Sequence, residues 1–306
     1  MFRITKSCQC IVDELTTSQE EADTRMLLHA KHASTDHEAI VILSEDTDVL
    51  VLSLGMYNDI SQQLYIRCGT SNRMRYIGIA KLGQSLGEET HSALIGLHSF
   101  TGCDSISAFG GKGKVSALKL VAKGGRFQKA MANLGINWDL SEELFLLIQE
   151  FTCRMYAARS SITEVNEMRY QLFRAKQGNI ESGQLPPCED TLFLHAKRAN
   201  YQACVWRRCL ETEPEVPSAE GHGWIIDDGQ LVVQWMQGPP APDVVMELMA
   251  CKCSKQCKAP GCQCIANGLK CSPACRNQWC DNMQQDDEDD MLDDDDDYES
   301  GVSDVE

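Results

Sequence analysis

The sequence predicts an α/β protein, a parallel sheet flanked by helices, followed by a small cysteine-rich module and an acidic tail. Two observations predict the sheet. Segments with apolar residues at helical spacing alternate with short, continuous apolar runs, which are typical of buried parallel strands. A third observation predicts the module, because eight of the sixteen cysteines lie within residues 251–280.

The helices and strands of the first part alternate along the chain. A helix is predicted at 19–36, because Ser18 can cap it and Leu27 and Ala30 recur at helical spacing. The β-branched run at 39–43, bounded by polar residues, predicts a buried strand. A second apolar run follows at 49–54. The pattern then predicts strands at 64–67 and 75–79 and helical segments at 89–100, 114–123, 139–175 and 189–210.

Beyond residue 210 the composition becomes that of connecting segments. Residues 211–223 are rich in Pro, Gly and charged residues, which predicts a loop or linker. Residues 224–236 predict a short hairpin that turns at Asp228 and Gly229. Proline and glycine between 238 and 242 then interrupt the chain before the cysteine-rich module begins.

The net charge of −17 is concentrated at one end of the chain. Residues 281–306 contain fourteen Asp and Glu and no Lys or Arg, so the rest carries 28 basic and 31 acidic residues, a net charge of −3. Because a run of like charges repels itself, residues 283–306 are expected to form a disordered tail. A nucleic-acid mimic and a docking site for a basic protein partner remain alternative interpretations of the tail.

The cysteines predict a metal site. The chain has no run of about 18 apolar residues that would span a membrane, and its N-terminal segment lacks the apolar core of a secretory signal. In a reducing compartment, clustered cysteines are metal ligands more often than disulfides, and thiolates suit zinc. A disulfide knot and an iron–sulfur site remain alternatives. The predicted zinc ligands are Cys251, Cys253, Cys257, Cys262, Cys264, Cys271, Cys275 and Cys280.

The cysteine spacing is C-x-C-x3-C-x4-C-x-C-x6-C-x3-C-x4-C, with Gly268-Leu269-Lys270 before Cys271 and Asn282 behind the last cysteine. Over residues 251–282 this resembles the tesmin-type CXC domain, a DNA-binding module held by a zinc cluster. Asn277 stands where that family has a further cysteine, and Gly261 where it has a tyrosine that enters the DNA minor groove. The resemblance implies structural zinc and DNA as a partner, through phosphate contacts rather than sequence-specific ones.

Three acidic clusters predict a second kind of metal site. Glu21 and Asp23 lie on the first predicted helix, Asp46 and Asp48 follow the first predicted strand, and Asp104 precedes a glycine-rich turn. Ligands bind beyond the carboxyl ends of strands, and carboxylates that repel one another are relieved by Mg²⁺ or Mn²⁺. Two such ions about 4 Å apart can clamp a phosphodiester. The alternative is that these residues are turn, cap and helix N-terminal residues.

Three acidic motifs follow one another along the chain: Glu21-Ala22-Asp23, Ser44-Glu45-Asp46-Thr47-Asp48 and Gly102-Cys103-Asp104. Their order resembles that of the PIN-like nucleases, most closely their flap-endonuclease (XPG-type) branch. The resemblance covers roughly residues 19–125 and implies that Glu21, Asp23, Asp46, Asp48 and Asp104 are catalytic ligands of two Mg²⁺ or Mn²⁺ ions. The family's glycine turn implies that Gly111, Lys112, Gly113, Lys114 and Lys119 hold the nucleic-acid backbone. Its first strand, which carries another Asp, has no counterpart upstream of Glu21, so the chain is expected to be a fragment or an inactive remnant.

A PIN-like domain joined to a CXC module resembles proteins encoded by, or derived from, eukaryotic mobile elements. This resemblance implies a nuclear protein, or otherwise a cytoplasmic one. Three functions remain open: a Mg²⁺-dependent structure-specific nuclease, a catalytically inactive zinc-stabilised DNA-binding or scaffold protein, and a cytosolic redox or metallothionein-like protein. The predicted domains are a partial PIN-like domain (1–135), a helical extension (136–210), a linker with a hairpin (211–250), a CXC module (251–282) and the acidic tail (283–306).

Overall fold

The computed structural model describes residues 2–4, 9–61, 63–70, 73–176, 182–238, 250–266, 268–271, 275–277 and 279–283. The chain divides into two compact units, residues 1–241 and 242–306. Apart from residue 283, the predicted acidic tail lies outside the described residues. No helix in the described parts of the chain is long and apolar enough to cross a membrane.

The larger unit is a mixed α/β structure in which helices predominate. Its strands are β1 (Phe2–Ile4), β2 (Gln9–Ile11), β3 (Ile40–Leu43), β4 (Leu64–Cys68), β5 (Arg75–Gly78), β6 (Trp224–Asp227) and β7 (Gln230–Val233). Its helices are α1 (Ala22–Ala33), α2 (Thr47–Ile60), α3 (Ile79–Leu86), α4 (Glu88–Ser92), α5 (Leu94–Thr101), α6 (Lys114–Val121), α7 (Gly125–Asn133), α8 (Glu142–Tyr156), α9 (Val165–Ala175) and α10 (Glu189–Arg207). The helical segment predicted at 139–175 is therefore two helices, α8 and α9.

The central sheet is mixed, which corrects the prediction of a parallel sheet. Its strand order is β3-β4-β5, with β3 parallel and β5 antiparallel to β4. The link between β4 and β5 is too short for the crossover that a parallel connection requires, so the chain returns antiparallel. Hairpin β1–β2 forms a separate sheet, and in the described parts of the chain no strand joins the outer edge of β3.

Strand β3 is buried on one face only, although its continuous apolar run predicts burial on both. Ile40 and Ile42 lie in the core, whereas Val41 and Leu43 are 44% and 62% exposed. The apolar run at 49–54 is the middle of α2, whose N-terminus is capped by the Asp46 carboxylate through the amide of Asp48. This helix is buried on most of its surface, so it lacks the polar stripe that marks a surface helix.

Two apolar cores share helix α10. The first joins α1, α2, α3 and the central sheet, and it includes Ala203 and Trp206 of α10. The second joins α5 to α10 around Phe100 and Phe151. The helices assigned to a separate extension at 136–210 thus pack into the same unit as the sheet.

The segment after α10 has the predicted loop and hairpin. Two residues of α10 hold the loop, because Lys197 and Arg198 donate to the carbonyls of Gly221 and Gly223. Strands β6 and β7 then pair antiparallel around Asp228 and Gly229, both with positive φ (46° and 77°), as a two-residue primed turn requires.

The smaller unit has little regular structure. Its described residues contain one short helix, α11 (Gln263–Ala266). The buried residues of its core are all cysteines: Cys251, Cys257, Cys262, Cys264, Cys271, Cys275 and Cys280. Because thiols take the place of an ordinary apolar core, the stability of this unit is expected to come from the metal that those thiols bind.

Candidate metal centres

The cysteine cluster contains two groups of four sulfurs. Cys251, Cys257, Cys262 and Cys271 form one group, and Cys251, Cys264, Cys271 and Cys275 form the other. Within each group all ligand atoms lie within 4.8 Å of one another. Cys251 and Cys271 belong to both groups, so their thiolates are placed to bridge two metal ions.

The distances between the sulfurs fit zinc and exclude disulfides. The Sγ of Cys251 lies 3.6 Å from that of Cys257 and 4.0 Å from that of Cys271, and Cys264 and Cys275 are 3.7 Å apart. Four sulfurs about 2.3 Å from one tetrahedral zinc are about 3.8 Å apart, whereas a disulfide bond is about 2.05 Å long. None of the eight cysteines of this cluster forms a disulfide bond, so its geometry is compatible with structural zinc.

Burial explains why these thiols need a cation. Burial, followed by the neighbouring Cys275 thiol, raises the pKa of Cys264 to about 12. Without a cation the Cys264 thiol stays protonated, and zinc binding would release its proton. Cys253 and Cys280 lie beside the two groups, since Cys253 contacts the thiols of Cys251 and Cys262, and Cys280 contacts that of Cys257.

Asn277 is not placed as a ligand, although the CXC family has a cysteine at its position. Its Nδ2 donates to the carbonyl of Lys255 at 3.0 Å, and its Oδ1 accepts from the amide of Trp279 at 3.1 Å. Both ends of the side chain therefore bind backbone. Asn282 instead donates to the Cys271 sulfur at 3.3 Å and to the carbonyl of Leu269, so it orients a cysteine that the two groups share.

Three of the five predicted carboxylates converge in the larger unit. Asp23 on α1 meets Asp46 and Asp48 at the start of α2, with one oxygen of each within 4.8 Å of the others. Partial burial, and then the charges of Asp46 and Asp48, raise the pKa of Asp23 above its usual value. A divalent cation would relieve this repulsion, and oxygen donors of this kind suit Mg²⁺ or Mn²⁺.

Asp48 is held by a chain of hydrogen bonds that leads into α5 and α6. Its Oδ1 lies 2.7 Å from Nε2 of His98, and Nδ1 of His98 lies 3.0 Å from Nζ of Lys114. The Lys114 ammonium also donates to the carbonyl of Gly102. A lysine that donates to Nδ1 leaves the hydrogen of a neutral imidazole on Nε2, where it points at Asp48. The hydrogen bond from His98 is the main reason that the pKa of Asp48 is lowered.

The two other predicted ligands lie at the margin of this site. Both oxygens of Glu21 accept hydrogen bonds from α10, one from Nε2 of Gln202 and one from Nε1 of Trp206, each at 2.7 Å. Asp104 is exposed and acts on Asp23 as a weaker charge than Asp46 or Asp48. Neither residue belongs to the group of three carboxylates that could hold one ion.

The residues of the predicted nucleic-acid turn have unlike surroundings. Lys112 lies over the ring of Tyr156, with Nζ 4.7 Å from its centroid, and the Lys114 ammonium lies against His98. Gly111, Gly113, Lys114 and Lys119 are exposed. Because the Lys114 ammonium already has partners within the protein, Lys119 is the exposed lysine of this turn without such contacts to His98 and Gly102.

His98, Gln202 and Trp206 complete the carboxylate site, and sequence reasoning missed them. The ring of His98 stacks on that of Trp206, with centroids 5.6 Å apart and planes at 28°. A histidine inside the otherwise apolar helix α5 was a signal that could have been noticed. Gln202 and Trp206 gave no such signal, because they lie far along the chain in α10.

Comparisons with known proteins identify no relative. No family model matches the sequence, and neither a curated protein nor a solved structure matches the chain. The function must therefore be inferred from this chain's own residues and their geometry.

Proposed function

We propose that the protein binds nucleic acid through its zinc-stabilised cysteine module and hydrolyses phosphodiester bonds at the carboxylate site. The observation that carries the enzymatic part is the convergence of Asp23, Asp46 and Asp48 from two different helices. Divalent cations bound there would neutralise the charge that develops on a phosphate during hydrolysis. The order of the acidic motifs, which resembles that of the PIN-like nucleases, supports the same reaction.

The surrounding residues would keep the carboxylates in position. His98 fixes one oxygen of Asp48 and leaves the other for a cation. The amide of Asp48 in turn holds Asp46 as the cap of α2, so both carboxylates have defined orientations. Carboxylates that are ordered before the cation arrives lose less entropy when it binds.

Exposed positive charge on the smaller unit supports nucleic-acid binding. In its described part the only acidic residue is Asp281. The exposed basic residues there are Lys252, Lys255, Lys258, Lys270 and Arg276. Such side chains would contact phosphates without reading a sequence, and the affinity would fall with salt. We also propose a nuclear location, because the chain resembles proteins derived from mobile elements. The negative charge of the acidic tail suggests a basic protein partner for it.

A second candidate function is that of a catalytically inactive, zinc-stabilised nucleic-acid-binding or scaffold protein. One observation favours it: residues that the nuclease resemblance assigns to catalysis or to substrate have structural partners instead. Both oxygens of Glu21 are bound by Gln202 and Trp206, and the Lys114 ammonium is bound by His98 and Gly102. In this interpretation the carboxylates are the remnant of a nuclease site that no longer cleaves nucleic acid.

Cleavage of DNA by the full chain distinguishes the two functions. The zinc-loaded protein is incubated with branched and single-stranded DNA in Mg²⁺ or Mn²⁺, beside Asp46→Asn. Asparagine keeps a cap acceptor for α2 and removes one charge from the site, so cleavage should be lost while folding is kept. Asp36→Asn, at an exposed position outside the site, is the matched control and should cut like the wild type.

Three results of this assay have different consequences. Cleavage that needs the added cation and disappears only in Asp46→Asn supports the enzyme. Cleavage that persists in Asp46→Asn rejects this site. A folded, zinc-loaded protein that binds DNA and does not cut it rejects the enzyme and supports the inactive binder.

A further inference from the structure

The smaller unit presents an unusually exposed tryptophan. Trp279 is 88% exposed, the largest exposed fraction of any large apolar side chain that the structure describes. It directly precedes Cys280, which lies in the buried cysteine core. Tryptophan is usually well buried, so a ring in solvent beside a metal-binding core is a candidate contact for a partner.

The backbone of Trp279 is fixed rather than loose. Its amide donates to Oδ1 of Asn277, and its carbonyl accepts from Nε2 of Gln256 at 3.4 Å. Gln256 also accepts from the amide of Asp281 at 3.1 Å, so it holds the backbone on both sides of Cys280. A ring on a backbone held in this way loses little entropy when it binds a partner.

Residues with positive charge occupy backbone segments linked to that of Trp279. Asn277 joins the amide of Trp279 to the carbonyl of Lys255, so the tryptophan and this lysine occupy neighbouring backbone segments. The amide of Arg276 donates to the carbonyl of Cys251, next to Lys252. The three cationic side chains are exposed, so the linked backbone segments carry positive charge together with an exposed aromatic residue.

This combination distinguishes between possible partners. In the described part of the smaller unit, Trp279 is the only large apolar side chain that is exposed, so it is not part of an apolar patch of the kind found at the core of protein interfaces. Sites for single-stranded nucleic acid instead pair isolated aromatic rings, on which bases stack, with cations that follow the backbone.

We propose that Trp279 is a base-stacking residue and that the surface formed by Trp279, Lys255, Arg276 and Lys252 binds single-stranded nucleic acid. The indole ring would stack on an unpaired base while the cations neutralise the flanking phosphates. Bases within a duplex are already stacked on each other, so the site should prefer single strands or unpaired ends. The proposal rests on the nucleic-acid binding proposed above and adds to it the residue that contacts bases.

Abasic DNA provides the test, because it keeps the phosphates and lacks the bases. The zinc-loaded full chain is titrated, by fluorescence anisotropy, into a labelled thymidine oligonucleotide and an abasic oligonucleotide of equal length. The thymidine strand should bind more tightly. Trp279→Ala should weaken its binding by roughly tenfold or more and bring it to the level of the abasic strand, whose own affinity stays unchanged.

Further variants separate stacking from other effects. Trp279→Phe should keep part of the difference between the two strands, whereas Trp279→Leu, which is apolar without a ring, should keep none. Lys255→Ala should weaken the binding of both strands. Trp235→Ala is the matched control, since Trp235 is also exposed (76%) but belongs to the larger unit, and it should change neither affinity. The zinc content of each variant is measured to verify that the cluster is intact.

Each remaining outcome decides a different question. Equal affinity of the wild type for both strands, or an unchanged affinity in Trp279→Ala, would overturn the stacking role and leave phosphate binding standing. No binding of either strand by the zinc-loaded wild type would reject the proposed nucleic-acid function itself.

Discussion

The side chains that complete the carboxylate site are positioned by contacts between distant parts of the chain. Trp206 donates to Glu21 across 185 positions and stacks on His98, which in turn holds Asp48. Local patterns identified the acidic residues because turn and helix-start positions are visible in sequence. They could not identify His98 or Trp206 as members of the site, because the role of each depends on which helix faces which.

A second histidine, His195, gives the larger unit a pH-dependent stability. Its Nε2 donates to the carbonyl of Phe100 at 2.8 Å, and the rings of Phe100 and Phe109 pack against it. Burial lowers the pKa of His195 from 6.5 to about 4, opposed by the hydrogen bond to Phe100 and aided by the charge of Arg198. The folded protein therefore excludes a proton that the unfolded chain takes up.

We expect the unfolding free energy to fall as the pH drops from about 6.5 to about 4, with up to roughly 3 kcal/mol of the loss due to His195. The stabilisation is complete above the pKa of the unfolded state and is lost toward the pKa of the folded state. His195→Gln keeps a donor and cannot titrate, so its stability should fall less over this window. Urea unfolding followed by circular dichroism at several pH values measures the difference, and parallel profiles would contradict it.

Several helices and turns lie where local sequence signals predicted them, although α1 begins at Ala22, after Glu21, and not after the predicted cap Ser18. The Asp228–Gly229 hairpin formed as predicted because only residues that tolerate positive φ fit its turn. Helix α8 begins at the predicted region because Ser141 caps it through the amide of Leu144. The antiparallel direction of β5 could not be predicted from local signals, because it depends on the length of the connection from β4.

Helix α10 fixes the turn that follows α7. Gly135 has φ 82°, and Asn200 of α10 binds its amide at 2.9 Å. A Cβ at Gly135 would come within 2.5 Å of the Ala203 backbone, whereas a Cβ at Gly229, with φ 77°, would meet nothing. The two glycines therefore share a backbone conformation and differ in packing.

Gly135→Ala should destabilise the larger unit by roughly 1–3 kcal/mol more than Gly229→Ala. Both variants carry the strain of alanine at positive φ, about 1–2 kcal/mol, so their difference reports the clash with α10. Thermal or urea unfolding of the two proteins measures it. Equal losses of stability would mean that α7 and α10 can move apart at little cost.

The two units of the molecule have different sources of stability. The larger unit has two apolar cores that share α10, and it can fold through apolar burial. The buried core of the smaller unit consists of cysteines, so its stability should come from the metal. Chelation is therefore expected to act on one unit and spare the other.

Removal of zinc with excess EDTA should unfold the smaller unit alone. Its exposed lysines and Arg276 should then become rapid trypsin sites, identified by mass spectrometry. Arg207, which is half-buried at the end of α10 and donates to the carbonyls of Leu134 and Ala132, should stay protected. Cys251→Ser should lower the zinc content, because both four-cysteine groups include Cys251. Cys103→Ser, outside the module, is the control and should keep it. Unchanged proteolysis after complete chelation would show that zinc does not hold this unit.

The sequence by itself determined the cysteine module and the residues of the Asp228–Gly229 turn. All eight predicted zinc ligands lie within one 30-residue stretch, and six of them form the two four-sulfur groups. Tertiary structure decided what is nonlocal: the mixed sheet, the single exposed face of β3, and the meeting of Asp23 with Asp46 and Asp48. It also decided that the Asn277 side chain binds the backbone of Lys255 and Trp279 and is not placed as a metal ligand. The physical reason is that distant segments meet only through packing, and packing leaves no periodic mark in the sequence.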